Sequence, residues 1–134
     1  MRIDSHQHYW DLKKFDYKWM PPGDSVLKKN YLPADLKPIL TESRFDGSVV
    51  VQANVVLAET YWLLELAEKD PLIKGVVAWV DLEHPALGNT LDELVRHKKF
   101  KGVRHPIHDE ADDKWMLRPG VIAGLKQLEQ RDIP

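Results

Sequence analysis

Lys74-Gly75-Val76-Val77-Ala78-Trp79-Val80-Asp81 decides the fold, because the chain echoes it twice. Asp46-Gly47-Ser48-Val49-Val50-Val51-Gln52 precedes it and Lys101-Gly102-Val103-Arg104-His105-Pro106 follows it. Each segment sets a glycine ahead of a short run rich in β-branched residues, whose stiff side chains suit extended backbone. The glycines fall 28 and 27 residues apart, an interval that holds a strand, a helix and two short connections. The runs are continuously apolar instead of alternating, as in parallel strands covered on both faces.

Between the runs the period changes to that of helices. Ala58 to Asp70 places Trp62, Leu63, Leu66 and Ala67 on one face and is stopped by Pro71. Thr90 and Glu93 form an expected capping box ahead of the stripe Leu91, Leu94 and Val95. A helix starting near Pro119 buries Val121, Ile122, Leu125 and Leu128, and an earlier one near Pro33 carries Leu36, Ile39 and Leu40. With Arg2 to His8 as a first strand, strand and helix alternate four times, which predicts an α/β fold with a parallel sheet. Trp62 and Trp79 stand at core spacing. The stretch from Tyr9 to Tyr31, with Trp10, Trp19, Pro21, Pro22 and Gly23, has no period. Loops of that length usually cover a site or are disordered.

Composition narrows the function. The 134 residues are 43% hydrophobic and 30% charged, as expected of one globular domain over residues 1–134. Lys and Arg number 19 against 21 acidic residues, and the lysines are scattered. Nucleic acid is therefore not an expected partner, because phosphate binding draws on clustered cations. There is no cysteine, which removes disulfides and thiolate metal sites. The opening residues lack the apolar core of a signal peptide and no run approaches the roughly 18 residues of a membrane span. A cytoplasmic protein with no membrane contact is expected.

The chemistry concentrates in Ile3-Asp4-Ser5-His6-Gln7-His8. Alternation along a strand points His6 and His8 the same way. Two imidazoles at the carboxyl end of a barrel strand can share a metal ion, and active sites of (β/α) barrels lie at that end. Without metal, the pair reads as two hydrogen-bonded histidines. Arg104 and His105 close the fourth run; neighbours on a strand face opposite sides, and the planar guanidinium fork favours Arg104 as the partner of a carboxylate or hydroxyl-rich substrate. Gln52 on the same rim, His108 in the following loop and Trp10 complete the expected substrate contacts. His84 and His97 are assigned no role, and the acidic run Asp109 to Asp113 lacks the spacing of a calcium loop.

Asp4-Ser5-His6-Gln7-His8-Tyr9-Trp10, Val51-Gln52-Ala53, Glu59 to Ala67, Ala78-Trp79-Val80-Asp81-Leu82 and Gly102-Val103-Arg104-His105-Pro106 occur in this order. Together they resemble the sugar-lactone hydrolase branch of the amidohydrolase superfamily, which contains L-fuconolactone, L-rhamnonolactone and pyrone dicarboxylate hydrolases. The resemblance covers the whole chain but only about half of a family barrel, which takes roughly 250 residues. It implies the N-terminal half, about four βα units, of a TIM (β/α)8 barrel acting on a small lactone. It also implies that His6 and His8 carry over as catalytic residues and metal ligands. In such enzymes a later histidine and an aspartate join them, binding one divalent metal, zinc or manganese, or positioning water without one. No lysine ends the fourth strand to bridge two metals, so at most one is expected. The isolated chain is then expected to be incomplete and inactive, with a fifth strand beginning near Arg131 to Pro134. Half a barrel leaves edges and one sheet face bare, so a homo-oligomer or the missing C-terminal half is the expected partner. A metal-dependent decarboxylase of the same superfamily and a non-catalytic chain needing a partner are the competing readings.

Overall fold

The computed structural model describes residues 1–134. Strands β1 (Ile3–Gln7), β2 (Gly47–Val51), β3 (Ile73–Ala78) and β4 (Phe100–Val103) alternate with helices α1 (Pro33–Glu42), α2 (Leu57–Lys69), α3 (Leu87–Leu94) and α4 (Pro119–Glu129). Two 3-10 turns, Ile107–Asp109 and Trp115–Leu117, interrupt the connection between β4 and α4. All strand pairs are parallel and the order is β1-β2-β3-β4. Every crossover thus steps one strand in the same direction. A doubly wound sheet would reverse its order at a switch point; this one does not, and matches the wall of a (β/α) barrel.

The repeated glycines mark close approaches between neighbouring segments. A Cβ at Gly75 would meet Lys101 Cγ at 2.6 Å, and one at Gly102 would meet the Pro134 carbonyl oxygen at 2.7 Å. That carbonyl also accepts a hydrogen bond from Val103 N–H (2.8 Å). The last residues therefore lie along the outer side of β4, where the repeat predicts a fifth strand.

Helices cover one sheet face. Val50, Val76, Ala78 and Val80 pack there against Leu63, Leu64 and Ala67 of α2, Leu91 and Leu94 of α3, and Val121 and Leu128 of α4. Alternation puts Val49 and Val77 on the other face, where they stay half-buried. The apolar runs are thus not fully covered on both sides within these residues. No helix is long and apolar enough to cross a membrane.

Helix boundaries depart from expectation in α3, which starts three residues before Thr90. Thr90 sits inside the helix with its hydroxyl turned back to the Ala86 carbonyl (3.4 Å), while Glu93 accepts the Tyr61 hydroxyl (3.0 Å). The turn Asp81–His84 already starts the chain coiling, so the box is not used. Three residues assigned to apolar stripes stand exposed instead: Ile39, Val95 and Ile122.

Candidate active site

Beyond the strand ends the sheet opens into a cleft of about 1200 Å³. β1 brings His8 to it, and the residue that follows β2, Gln52, is held there because its N–H continues the ladder to Val77 O (2.8 Å). Arg104 is placed the same way after β4, by its N–H to Ala78 O (2.8 Å). The connection from β1 to α1 forms the opposite wall with Trp10, Phe15 and Trp19. This loop is closed at its base by an antiparallel bridge between Trp10 and Tyr31. Trp10 is buried there, with its indole N–H shared between the carbonyls of Leu27 (3.1 Å) and Lys29 (2.8 Å). Trp19 meets Trp10 edge to face at 5.6 Å.

The two histidines converge. His6 Nε2 and His8 Nε2 are 3.0 Å apart and the rings meet at 66°. His8 Nδ1 lies 2.9 Å from the Val51 carbonyl oxygen, which can only accept. Nδ1 therefore carries the proton, and Nε2 presents a lone pair toward His6. Burial lowers the His8 pKa, and the neighbouring His6 and Arg104 push the same way against the Val51 carbonyl. That direction favours the neutral ring, the form that offers a lone pair to a metal. His6 is exposed at the cleft's edge. An Nε2 separation of 3.0 Å is one that two metal–nitrogen bonds of about 2.0–2.1 Å can span. The pair fits only part of a metal site: no group of three or more His, Asp or Glu side chains is arranged to hold an ion.

The other expected contacts separate into two groups. Gln52, Arg104, His108 and Trp10 all line the cleft. The Arg104 guanidinium enters no hydrogen bond or ion pair, and the Gln52 amide nitrogen is buried without a partner. His108 is exposed and pairs only with Asp109 (3.4 Å). His105 does not line the cleft. Its ring stacks on Trp115 at 4.0 Å, Nδ1 accepts the Trp79 indole N–H (3.2 Å) and Nε2 donates to Glu110 (2.6 Å). With both nitrogens engaged it pins the loop that carries His108 and Asp109, and it stands outside the cleft lining. The pleat that turns Arg104 inward turns its neighbour away.

Sequence reasoning missed Glu59, which is fully buried. Its carboxylate accepts the N–H groups of Ala53 (2.9 Å) and Asn54 (2.7 Å) directly behind Gln52. A glutamate in the first turn of a helix reads as an ordinary dipole partner, so nothing in its own segment signals burial. Lys14, Asp16 and Lys18 on the cleft wall were missed as well; they lie in the one segment without periodicity.

A parallel sheet with sequential strand order and paired imidazoles at its carboxyl end defines an α/β protein of the (β/α)-barrel kind, with its cleft where such proteins bind small molecules. Residues 3–134 match the family model described as Amidohydrolase, and the chain belongs to that family. It is 43% identical over 133 residues to the L-fucono-1,5-lactonase of Burkholderia multivorans, covering 98% of this chain and 45% of that protein. It is 36% identical over 132 residues to the L-fucono-1,5-lactonase of Burkholderia ambifaria, covering 98% and 46%. Among solved structures, an amidohydrolase from Burkholderia multivorans with bound zinc superposes with a TM-score of 0.90 at 38% identity, over 99% of this chain and 47% of that one. The chain spans about half the length of the relatives it matches.

Proposed function

We propose that this chain forms the N-terminal half, about four βα units in a single domain, of a barrel that hydrolyses a small sugar-acid lactone. The observation that carries the proposal is the convergence of His6 and His8 at 3.0 Å, beside a cleft in which Arg104 and Gln52 are left without partners. A buried polar group without a partner, as at Gln52, is costly and calls for a functional explanation, while the Arg104 fork faces the cleft with no protein partner. An aldonolactone supplies what they lack: hydroxyls and a carbonyl for the Gln52 amide, and a developing carboxylate for the Arg104 fork. Trp10 and Trp19 offer apolar faces to the carbon skeleton.

In the reaction, water adds to the lactone carbonyl carbon and gives up a proton, the bond from that carbon to the ring oxygen breaks, and the released ring oxygen takes up that proton to become the hydroxyl of the open acid. His6 and His8 would hold one divalent metal, which when bound polarises the carbonyl. The neutral His8 keeps its lone pair available because Val51 holds its proton on Nδ1. Arg104 orients the substrate and the acid formed. The base that deprotonates water, and further metal ligands, belong to strands outside these residues. Zinc sites take three or four ligands, so the 134 residues by themselves are inactive. The open edge of β1, and β4 by way of the last residues already on its outer side, would pair with those strands or with a second copy.

The test has two parts. Acid release from L-fucono-1,5-lactone by the isolated chain, with and without zinc or manganese, is expected to match the buffer blank. Calorimetry with L-fuconate is expected to show binding that Arg104→Ala and His8→Ala each remove. Binding unchanged in both variants would sink the reading, and turnover by the isolated chain would overturn the claim of incompleteness. Carbon dioxide release from an aromatic acid in place of lactone opening would favour the decarboxylase.

A further inference from the structure

Two loops make up most of the cleft wall, and they are fastened to each other. The Trp19 indole N–H donates to Ala53 O (2.7 Å), and the Asn54 amide donates to Asp16 O (2.9 Å). Behind these contacts lies Glu59, fully buried, with Oε2 accepting both Ala53 N–H and Asn54 N–H. The buried Tyr17 ring, from the long loop, sets its hydroxyl beside the same carboxylate. Phe15 completes the seam by packing on Trp62 of α2, with ring centroids 5.5 Å apart.

A carboxylate is a poor choice for filling space. It loses its hydration on burial, and an apolar side chain of similar size would pack at far lower cost. Glu59 has no cationic partner to offset this, and its Oε1 makes no hydrogen bond. What the group provides is two strong acceptor bonds to consecutive backbone N–H groups, in a turn that no strand or helix ladder can satisfy. That turn begins at Gln52 and presents Ala53 and Asn54 both to the cleft and to the long loop.

We infer that Glu59 is a positioning residue: it sets the shape of the cleft by locking the turn after β2 to the Tyr9–Tyr31 loop, without touching substrate. Removing the carboxylate frees two N–H groups, loosens Ala53 and Asn54, and releases the anchors of Trp19 and Asp16 together. The effect on ligand rests on the lactonase reading; the clamp itself does not.

Hydrogen exchange followed by mass spectrometry on the full 134-residue chain separates the two. In Glu59→Ala, peptides covering residues 9–31 and 52–56 are expected to exchange about tenfold faster, the factor that corresponds to about 1.4 kcal/mol. Peptides from β3, β4 and α3 should be unchanged. Glu59→Gln keeps an oxygen acceptor and should restore the native pattern in both loops. Calorimetry with L-fuconate should show about tenfold weaker binding in Glu59→Ala and recovery in Glu59→Gln. If Glu59→Ala does not fold, Trp19→Phe carries the test, since loss of its bond to Ala53 should speed exchange across both loops. Uniform acceleration over the whole chain, or a long loop that exchanges at the native rate in Glu59→Ala or, where that variant does not fold, in Trp19→Phe, would overturn the inference. Loop-selective exchange in a chain that never binds L-fuconate would uphold the clamp and reject the lactonase reading.

Discussion

The two ends of the same four strands solve opposite problems. At the amino ends charge is tied down: Lys99 Nζ donates to the carbonyls of Ala67 and Asp70, and Lys101 Nζ donates to Lys98 O (2.8 Å) while its stem lies over Gly75. At the carboxyl ends Arg104 has no partner, the Gln52 amide nitrogen is buried without one, and two imidazoles face each other. One backbone ladder supports both ends, so the difference lies in the side chains alone. The amino ends keep one buried hydroxyl unpaired, Ser48 Oγ. The unpartnered groups that border a cleft, Arg104 and Gln52, nevertheless lie at the carboxyl ends, which separates stability from binding along the strand axis.

The sharpest contrast should come from the core that both ends share. Leu63→Ala and Leu91→Ala, at positions fully buried against the sheet, are expected to cost about 2–5 kcal/mol, read by urea denaturation. A cost below about 1 kcal/mol would mean that the helices do not seal that face.

At the carboxyl rim the sign should reverse. Gln52→Leu removes an unsatisfied amide and is expected to leave stability unchanged or raise it by about 1 kcal/mol, while calorimetry shows L-fuconate binding lost. A destabilisation of several kcal/mol would show that Gln52 serves the fold and would dissolve the contrast.

Acid–base behaviour offers a subtler test. Burial raises the Glu59 pKa, opposed by the N–H groups of Asn54 and Ala53. A raised folded-state pKa means that the unfolded chain gives up the proton first. The folded form is therefore favoured below the ordinary value of 4.5 and loses that advantage as pH climbs through the higher folded pKa. Relative to Glu59→Gln, the native chain should lose stability as pH rises above 4.5 and then level off. A gap that widens toward acid would reverse the assignment.

The smallest effect belongs to the satisfied rim. Lys101→Ala is expected to change stability by no more than about 0.5–1 kcal/mol and to leave L-fuconate binding untouched, because Lys101 is exposed and remote from the cleft.

This division also explains what the sequence made legible. The sheet could be read because β-branched runs such as Val49-Val50-Val51 and Val76-Val77 are local signals, and their spacing leaves room for one helix each. His6 and His8 could be paired because period-two alternation is a property of the strand itself. Glu59 could not be found this way: its burial follows from where the Tyr9–Tyr31 loop comes to rest, and that loop has no period. Arg104 and His105 could be sorted into one facing each way, yet the task of His105 depends on Trp79, Trp115 and Glu110, which sequence distance does not connect. Thr90 looked like a cap by type and spacing, but the turn before it starts α3 early.

The central claim is that the two imidazoles present their Nε2 atoms to a single shared ligand. A two-bond proton–nitrogen NMR spectrum of the histidine rings, recorded through a zinc titration, tests it directly. His8 is expected to hold its proton on Nδ1 before zinc is added. The Nε2 signals of His6 and His8 should then move together, with weak affinity, and neither should move in the other's alanine variant. A His8 ring protonated on Nε2, or a zinc response confined to one histidine, would contradict it.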